Sequence, residues 1–208
     1  MTALAPSPFA TTETRAADRA AKRDALLHAA VRMFNDRGFH ATSLDDVAAS
    51  LGVTKPVIYH HLGNKDRVLF ECVSVGLGQL LDAADDARAG PGSGLDRLKA
   101  FLRRYAELMM EDFGACVIRT GEEALVPDTR VRFRELKAGI DRAMRGLIQD
   151  AAEDGSAVVD DVRLTAFTFA GALNWPARWY RADGPLPASE VARRIVDILC
   201  AGLVPACA

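Results

Sequence analysis

The stretch from Thr42 to Lys65 constrains the fold more than any other part of the chain, because its pattern predicts two short helices joined by a tight turn. Thr42 and Ser43 are residue types favoured at helix N-caps, and two aspartates follow in the predicted first turn. One apolar face then recurs at helical spacing: Leu44, Val47, Ala48 and Leu51. Gly52 supplies the residue that a tight turn between two helices favours.

The second predicted helix keeps most of its side chains outside the core. Thr54 stands at its N-cap, and Pro56 lies in the first turn, where a missing N–H removes no helical hydrogen bond. Three residues are expected to be buried: Val57, Ile58 and Leu62. Two helices with a short glycine-containing turn form a helix-turn-helix motif, whose second helix enters the major groove of DNA.

The charge distribution agrees with contact between the N-terminal part and phosphate. The chain carries 26 Lys and Arg against 28 Asp and Glu, so its net charge is −2. Residues 13–70 nevertheless hold nine basic and seven acidic residues and all four histidines. A basic bias of this kind is the mild form of the electrostatic pattern of DNA-binding domains.

The cysteines and the apolar stretches indicate the compartment. Cys72, Cys116, Cys200 and Cys207 lie far apart without neighbouring histidines, which predicts neither a disulfide framework nor a zinc site. The N-terminus has no secretory pattern, and the most apolar stretch, residues 162–175, is too short to cross a membrane. We therefore expect a cytoplasmic protein with no membrane partner and no cofactor.

Helical periodicity continues along the rest of the chain, without a convincing strand or internal repeat. About nine helices are expected, so the predicted fold class is all-α. Residues 1–14 are expected to form a disordered tail, residues 15–64 a helix-turn-helix domain and residues 65–208 a second helical domain. The AGPGSG run at residues 89–94 is interpreted as a flexible connector, because it lacks the preceding strand and following Lys of a phosphate-binding loop.

Residues 23–70 resemble the DNA-binding domain of TetR-family transcriptional repressors. The residues that carry the resemblance are Ala29 to Phe34, Arg37-Gly38-Phe39, Thr42-Ser43, Val47-Ala48, Leu51-Gly52-Val53, Tyr59-His60-His61 and Asn64-Lys65. Pro56-Val57 and Leu62-Gly63 depart from the usual family pattern. The resemblance implies a three-helix DNA-binding domain, a connecting fourth helix, and a helical ligand-binding domain that dimerises through its last two helices.

The predicted DNA contacts lie within and just after the two short helices. They are Thr42, Ser43, Thr54, Lys55, Pro56, Tyr59, His60 and Lys65. Lys55 protrudes from the first turn of the recognition helix and can donate to guanine or to a phosphate. Backbone N–H groups at Thr42 and Ser43 can bind phosphate at a helix N-terminus. Capping alone is the alternative role for these two residues and for Thr54.

A second site is predicted in the C-terminal part, where residues 169–185 combine an apolar helix with tryptophans and arginines. Pro176 is expected to kink a helix that continues to about Tyr180, which would open space beside it. This stretch is weakly similar to the corresponding helix of TetR-type repressors of fatty-acid or steroid catabolism, which respond to acyl-CoA thioesters. An acyl-CoA needs an apolar tunnel, which Phe101, Tyr105, Met109, Phe167 and Trp175 are predicted to line, and cations for its phosphates, a role predicted for Arg119 and Arg178.

Three alternatives stay open at this point. Trp175 can belong to a dimer core instead of a ligand pocket, and for Trp179 and Tyr180 the dimer interface is the preferred position. The chain can also be a regulator without a small-molecule ligand. An enzyme is disfavoured, because no catalytic motif is present and no histidine follows His61. The sequence therefore predicts a homodimeric repressor, released from a palindromic operator by a small molecule such as an acyl-CoA, with no catalytic or metal-binding residues.

Overall fold

The computed structural model describes residues 12–203, which fold into ten α-helices and a single 3₁₀ turn at Glu122–Ala124. Three helices form the N-terminal unit, here called the head: α1 (Thr12–Arg37), α2 (Leu44–Ser50) and α3 (Lys55–Leu62). The others form the body: α4 (Lys65–Ala89), α5 (Gly94–Met110), α6 (Asp112–Arg119), α7 (Pro127–Glu153), α8 (Val162–Asn174), α9 (Pro176–Trp179) and α10 (Ala188–Cys200). The all-α class is confirmed, and α9 is a single turn beyond the nine helices expected.

The head is held together by a small core to which each of its helices contributes. Phe34 of α1 is buried and packs edge-on against Phe39, with ring centroids 5.3 Å apart. Leu44 and Val47 of α2 and Ile58 of α3 complete this core. Because the apolar face of each short helix is fully used here, the remaining faces of α2 and α3 are left to solvent.

Two glycines make the turns of the head possible. Gly38 ends α1 with φ of 87°, and Gly52 separates α2 from α3 with φ of 65°. Glycine adopts this left-handed region without the steric cost that a Cβ atom imposes. Both turns were expected from the sequence, and both are confirmed.

The body is organised around α4, which packs against α5, α6 and α7. Its buried residues follow the helical repeat: Val68, Leu69, Cys72, Val73, Leu77 and Leu80. Helix α10 packs on α5. Within residues 12–203, no helix is at once long and apolar enough to span a membrane.

Contacts between α1 and α6 join the head to the body. Arg32 Nε donates to Asp112 Oδ2 at 2.8 Å, and Asn35 Nδ2 donates to the Asp112 carbonyl at 2.8 Å. The rings of His28 and Phe113 are 4.7 Å apart. The start of α6 is therefore tied to the second half of α1.

Two helix boundaries differ from the sequence prediction. Helix α1 begins at Thr12, inside the stretch predicted as a disordered tail, because alanine-rich sequence extends a helix beyond its apolar stripe. Residues 12–14 of the predicted tail are thus helical, and residues 1–11 lie outside the described residues. The helix expected to continue to Tyr180 is interrupted, because Pro176 has no N–H to donate, and α9 begins at this residue.

Residues 90–93 connect α4 to α5, as expected, and hydrogen bonds hold the end of this connection where α5 begins. Ser93 and Asp96 form a capping box at the start of α5. The Gly94 N–H donates to Asp154 Oδ2 at 2.5 Å. A side chain at Gly94 would collide with the backbone of Ala151, which explains why glycine suits this close approach of α5 and α7.

Candidate nucleic-acid interface and effector cavity

The N-terminus of α2 is capped by Ser43 and not by Thr42. Ser43 Oγ accepts from the Asp46 N–H at 3.1 Å, and the Asp46 carboxylate accepts from the Ser43 N–H at 3.0 Å. Hydrogen bonds from Ser43 lower the pKa of Asp46. Thr42 is 1 % exposed, and its hydroxyl lies 3.2 and 2.9 Å from the Met33 and Gly38 carbonyl oxygens. The predicted capping by the Thr42 side chain is therefore wrong, and the phosphate contact expected of its backbone N–H stays a prediction.

Helix α3 presents most of its side chains to solvent, as expected. Ile58 and Leu62 are buried, but Val57 is 38 % exposed, which contradicts its assignment to the core. Adjacent residues of a helix point about 100° apart, so a helix this short buries Ile58 and leaves Val57 outside. Leu51, expected on the apolar face of α2, is also exposed. Thr54 occupies the N-cap, but its hydroxyl makes no capping hydrogen bond.

Lys55 of α3 is bound to Asp45 of α2, with Nζ 2.5 Å from Oδ2. Pro56 follows it in the first turn, as expected. The hydrogen bond and the charge of Asp45 raise the pKa of Lys55, so the ammonium group stays protonated. Its charge is therefore balanced by Asp45 across the helix-turn-helix, and its predicted contact with DNA stays a prediction. Sequence reasoning had missed Asp45 as the partner of Lys55, because the two residues belong to different helices.

Several predicted DNA contacts converge on one surface depression of about 480 Å³. Its lining includes Ser43, Tyr59 and Lys65 together with Thr42, His40 and Asn64. Lys65 Nζ lies 4.3 Å from the Phe39 ring centroid and 3.4 Å from the His40 carbonyl oxygen. His60 packs against His61, with ring centroids 5.2 Å apart, and does not line the depression. Groups from the starts of α2 and α4 and from α3 thus surround the depression, whose lining also includes the carboxylates Asp46 and Asp66.

The body contains a mostly apolar cavity of about 400 Å³ between α4, α5, α6, α7 and α8. Three predicted ligand residues line it: Tyr105, Met109 and Phe167. The Tyr105 hydroxyl donates to Asn174 Oδ1 at 3.0 Å, and burial raises the pKa of Tyr105 to about 12. The phenol is therefore neutral, and it lies in a mostly apolar wall whose other polar members are Asn174, Lys137 and Asp141. Sequence reasoning had missed Asn174, whose role depends on the position of α5.

Phe167 marks the opening of this cavity. Its side chain lines the cavity and is also 51 % exposed. The guanidinium groups of Arg145 and Arg163 each lie 5.5 Å from the centroid of its ring. Cations over an aromatic face are attracted by its quadrupole, so the opening is flanked by positive charge.

The other predicted ligand residues lie outside the cavity. Phe101 is fully buried and packs against Tyr105, with ring centroids 5.8 Å apart, so it belongs to the core and its assignment to the lining is wrong. Trp175 is 65 % exposed and lines an apolar surface groove with Trp179 and Ile198. Its assignment to the acyl pocket is therefore also wrong.

Arg119 and Arg178 lie together in a cleft of about 600 Å³ between the head and the body. Arg119 Nε donates to the Ala177 carbonyl at 2.7 Å, and Nη1 donates to the Asn35 carbonyl at 3.4 Å. Arg178 Nη2 donates to the Ile118 carbonyl at 2.8 Å. The two arginines therefore face the head and do not line the apolar cavity, and their role toward the phosphates of an acyl-CoA stays a prediction.

A head with an exposed recognition helix and a body with an apolar cavity define a transcriptional regulator with separate DNA and effector sites. The chain belongs to the TetR family. Residues 26–72 match the family model described as "Bacterial regulatory proteins, tetR family", and residues 91–203 match "Tetracyclin repressor-like, C-terminal domain". Membership places the chain among transcriptional regulators and not among enzymes, as predicted.

Relatives and solved structures extend this similarity over most of the chain. The transcriptional repressor KstR2 of Mycolicibacterium smegmatis is 30% identical over 188 residues, covering 88% of this chain and 91% of that protein. The structure of the TetR-family regulator PfmR from Thermus thermophilus is 31% identical, with a TM-score of 0.78 over 85% of this chain and 97% of that chain. AibR, solved with isovaleryl coenzyme A and operator DNA, is 25% identical, with a TM-score of 0.73 over 85% of this chain and 97% of that chain.

Proposed function

We propose that the protein is a homodimeric repressor of lipid or steroid catabolism genes, which an acyl-CoA thioester releases from a palindromic operator. The observation that carries this proposal is the cavity beside Tyr105 and Asn174, whose volume of about 400 Å³ and apolar wall suit an acyl group. A pocket of that size holds the acyl part, while the larger coenzyme remains outside. Similarity to AibR, which was solved with isovaleryl coenzyme A, supports this class of effector.

The head supplies the DNA contacts in this proposal. Lys55, with exposed Val57 beside it, faces the major groove, where an ammonium group can donate to guanine and an apolar side chain can contact a thymine methyl. Ser43, Tyr59 and Lys65 bind the phosphate at the depression between them. Thr54 and His60 are further backbone contacts. Because operator DNA lies in the cytoplasm of bacteria, we place the protein there.

The dimer forms through the outer faces of α8, α9 and α10. Trp175 and Ile198 are 65 % and 75 % exposed, and they line one groove whose other walls are also largely apolar. A contiguous apolar patch of this kind is a usual sign of a protein interface. A second copy related by a two-fold axis would cover both patches and set the spacing of the two recognition helices.

Release from DNA follows from linkage between the two sites. The dimer is taken to exist in two conformations that differ in the spacing of the heads. An acyl group in the cavity shifts the equilibrium between them only to the extent that it binds one conformation more tightly than the other. Since α6 contributes Val117 and Ile118 to the cavity and Asp112 to the contact with α1, a change in cavity shape has a direct route to the head. The route consists of packed residues and hydrogen bonds that join the body to α1.

Fluorescence anisotropy with DNA from upstream of the protein's own gene and neighbouring genes tests the proposal. We expect salt-sensitive binding to one such segment and release on titration of medium-chain or steroid-derived acyl-CoA thioesters. Ala170 lines the cavity, so Ala170→Phe should retain DNA binding and lose the response. A protein that binds the operator but responds to no thioester would instead be a regulator without this effector, and the absence of any specific DNA binding would refute the proposal.

A further inference from the structure

A hydrogen-bonded pair, Tyr105 and Asn174, interrupts the apolar wall of the cavity in the body. Tyr105 is 5 % exposed, and its hydroxyl donates its single hydrogen to Asn174 Oδ1 at 3.0 Å. Asn174 is partly buried and lines the cavity. Within residues 12–203 its amide nitrogen, which carries two N–H donors, makes no side-chain hydrogen bond. Donors on the Asn174 amide are therefore left for a ligand in the cavity.

The two charged members of the lining lie on the solvent side of the cavity. Lys137 of α7 is exposed. Asp141 is paired with Arg145, with Oδ2 2.6 Å from Nη2, and the Arg145 guanidinium flanks Phe167 at the opening. Since one charge is solvated and the other is matched, neither of them needs a partner on an acyl group. The polar group that an acyl chain meets inside is the pair of Tyr105 and Asn174.

The helix α8 places this pair at a defined depth. Phe167 at the opening and Asn174 are seven positions apart on α8, so they share a face of the helix, and both line the cavity. At 1.5 Å of rise per residue, they are about 10 Å apart along the helix axis. Ala170 lines the cavity between them. An acyl chain that enters beside Phe167 therefore brings its distal part, and not the carbons next to the thioester, to the Asn174 amide.

An acyl group made of hydrocarbon alone would cover the Asn174 amide without giving it a hydrogen bond. A donor that loses water and gains no partner lowers affinity, and a site with such a donor rejects ligands that lack the matching acceptor. We infer that the cavity selects acyl groups with an oxygen acceptor, such as a ketone, far from the thioester. Asn174 binds this oxygen, and Tyr105 positions the Asn174 amide. The inference rests on the function proposed above and narrows its effector to an oxygenated acyl-CoA.

Isothermal titration calorimetry on the full-length protein without DNA tests this selectivity. The probes are decanoyl-CoA, 3-oxodecanoyl-CoA and 9-oxodecanoyl-CoA. The two oxo thioesters are isomers, so they differ from each other in the position of the ketone alone. The 9-oxo thioester should bind about tenfold or more tightly than the other two, the effect expected for a hydrogen bond to an otherwise unpaired donor. Equal affinities, or a preference for the 3-oxo isomer, would overturn the inference.

Variants of the pair assign the selectivity to these residues. Asn174→Leu should weaken binding of 9-oxodecanoyl-CoA by about tenfold and leave that of decanoyl-CoA equal or stronger, because it removes the donor and adds apolar surface. Tyr105→Phe should reduce the preference for the 9-oxo thioester, since the amide loses the partner that orients it. If the two residues served packing alone, both thioesters would lose affinity equally and the ratio of their affinities would not change, which would refute the assignment.

Thr168→Val is the matched control on the same helix. Thr168 is exposed, its hydroxyl donates to the Leu164 carbonyl at 2.9 Å, and it does not line the cavity. The ratio of the affinities for 9-oxodecanoyl-CoA and decanoyl-CoA should be the same as in the unmodified protein. A loss of the preference in Thr168→Val as large as in Asn174→Leu would contradict the role of Asn174. The comparison of the three thioesters on the unmodified protein holds even if a variant of the pair unfolds.

The free acids separate this inference from the proposed effector. If the three thioesters bind equally and release operator DNA, the acyl-CoA effector stands and the selectivity is refuted. If no thioester affects DNA binding, the acyl-CoA effector is refuted. The selectivity stands in that case if 9-oxodecanoic acid raises the midpoint of thermal unfolding more than decanoic acid does and Asn174→Leu abolishes the difference, and it is refuted if the two acids act alike.

Discussion

Lys55 Nζ of the recognition helix lies 2.5 Å from Asp45 Oδ2 of the preceding helix. Both side chains are exposed to solvent, at 68 % and 38 %, so water and salt screen the pair and it contributes little to stability. If Lys55 contacts DNA as proposed, its ammonium group has to leave the Asp45 carboxylate before it meets a base or a phosphate. On that proposal, Asp45 opposes binding to DNA sequences that offer Lys55 no comparable partner.

The first prediction concerns this pair. Asp45→Asn should raise the affinity for non-operator DNA by about three- to tenfold and the affinity for the operator by less. The ratio of operator affinity to non-operator affinity should therefore fall. Lys55→Gln should weaken operator binding by about tenfold or more. It should also lower the slope of log affinity against log salt concentration by the amount expected for the loss of about one phosphate contact. Anisotropy titrations at several salt concentrations measure both effects.

A double-mutant cycle separates this pairing from general repulsion of DNA by Asp45. In the Lys55→Gln background, Asp45→Asn should change affinity much less than it does alone. An equal gain in both backgrounds would show that Asp45 acts by its charge on the DNA and not through Lys55.

The second prediction compares two capping boxes of the same kind. Ser43→Ala and Ser93→Ala each remove a serine that caps a helix and bonds an aspartate three residues later, so each should cost about 1 kcal/mol of unfolding free energy. Only Ser43 lies at the proposed phosphate site. Chemical denaturation should therefore show similar losses, whereas only Ser43→Ala should weaken DNA binding; a similar loss of DNA affinity in Ser93→Ala would contradict the assignment.

The helix-turn-helix could be predicted almost fully from the sequence, because its signals are local. Gly38 and Gly52 have the positive φ angles expected of turn glycines, and Ser43 caps α2 as expected. The errors arise where a choice between neighbouring positions depends on packing. Thr42 and Ser43 are both residue types that favour the N-cap. The Thr42 hydroxyl instead bonds to the Met33 and Gly38 carbonyls and closes the turn after α1, so Ser43 is left as the cap.

The effector site could be predicted only in part, because it is assembled from distant helices. Phe101 and Tyr105 lie one turn apart on the same face of α5, yet only Tyr105 lines the cavity. Periodicity indicates the buried face of a helix but not which neighbour each residue meets. Arg119 and Arg178 were correctly paired as cations, but their location depends on how α6 and α9 contact the head, which no local pattern specifies.

The third prediction follows from the burial of Tyr105, which raises its pKa to about 12. The pKa of this phenol in the folded protein lies above its value near 10 in the unfolded chain. Its contribution to the free energy of unfolding is therefore fully present below pH 10 and is lost as the pH rises from about 10 to about 12. Alkaline titration followed by phenolate absorbance should show one tyrosine that ionises near pH 12 or on unfolding. Tyr105→Phe should abolish this phase, whereas Tyr59→Phe should retain it; persistence of the phase in Tyr105→Phe would contradict the assignment.

The fourth prediction uses two glycines of α4 that have opposite surroundings. A Cβ atom at Gly76 would lie 2.8 Å from the Phe113 carbonyl oxygen at the crossing with α6, whereas nothing lies within 4 Å of one at Gly78. Gly76→Ala should therefore cost about 1–3 kcal/mol of unfolding free energy, because backbone cannot move aside cheaply. Gly78→Ala should gain up to about 1 kcal/mol through helix propensity. Equal effects in denaturant titrations would show that α4 and α6 are not in close contact.

The fifth prediction tests the proposed dimer face. Ile198 is 75 % exposed beside Trp175 and Trp179, so Ile198→Glu places a charge where the second copy would bury it. Sedimentation should show a monomer at concentrations where the unmodified protein is a dimer, and operator affinity should fall by at least about tenfold, since a monomer contacts one half-site.

Val131→Glu is the control for this variant, because Val131 is 57 % exposed on α7 and does not line the groove. It should leave both the mass in solution and the operator affinity unchanged. Loss of the dimer in both variants would place the interface on a wider surface that includes α7. A dimer that persists in Ile198→Glu would exclude this groove as the interface, and the spacing of the recognition helices would then have to be set by another face of the body.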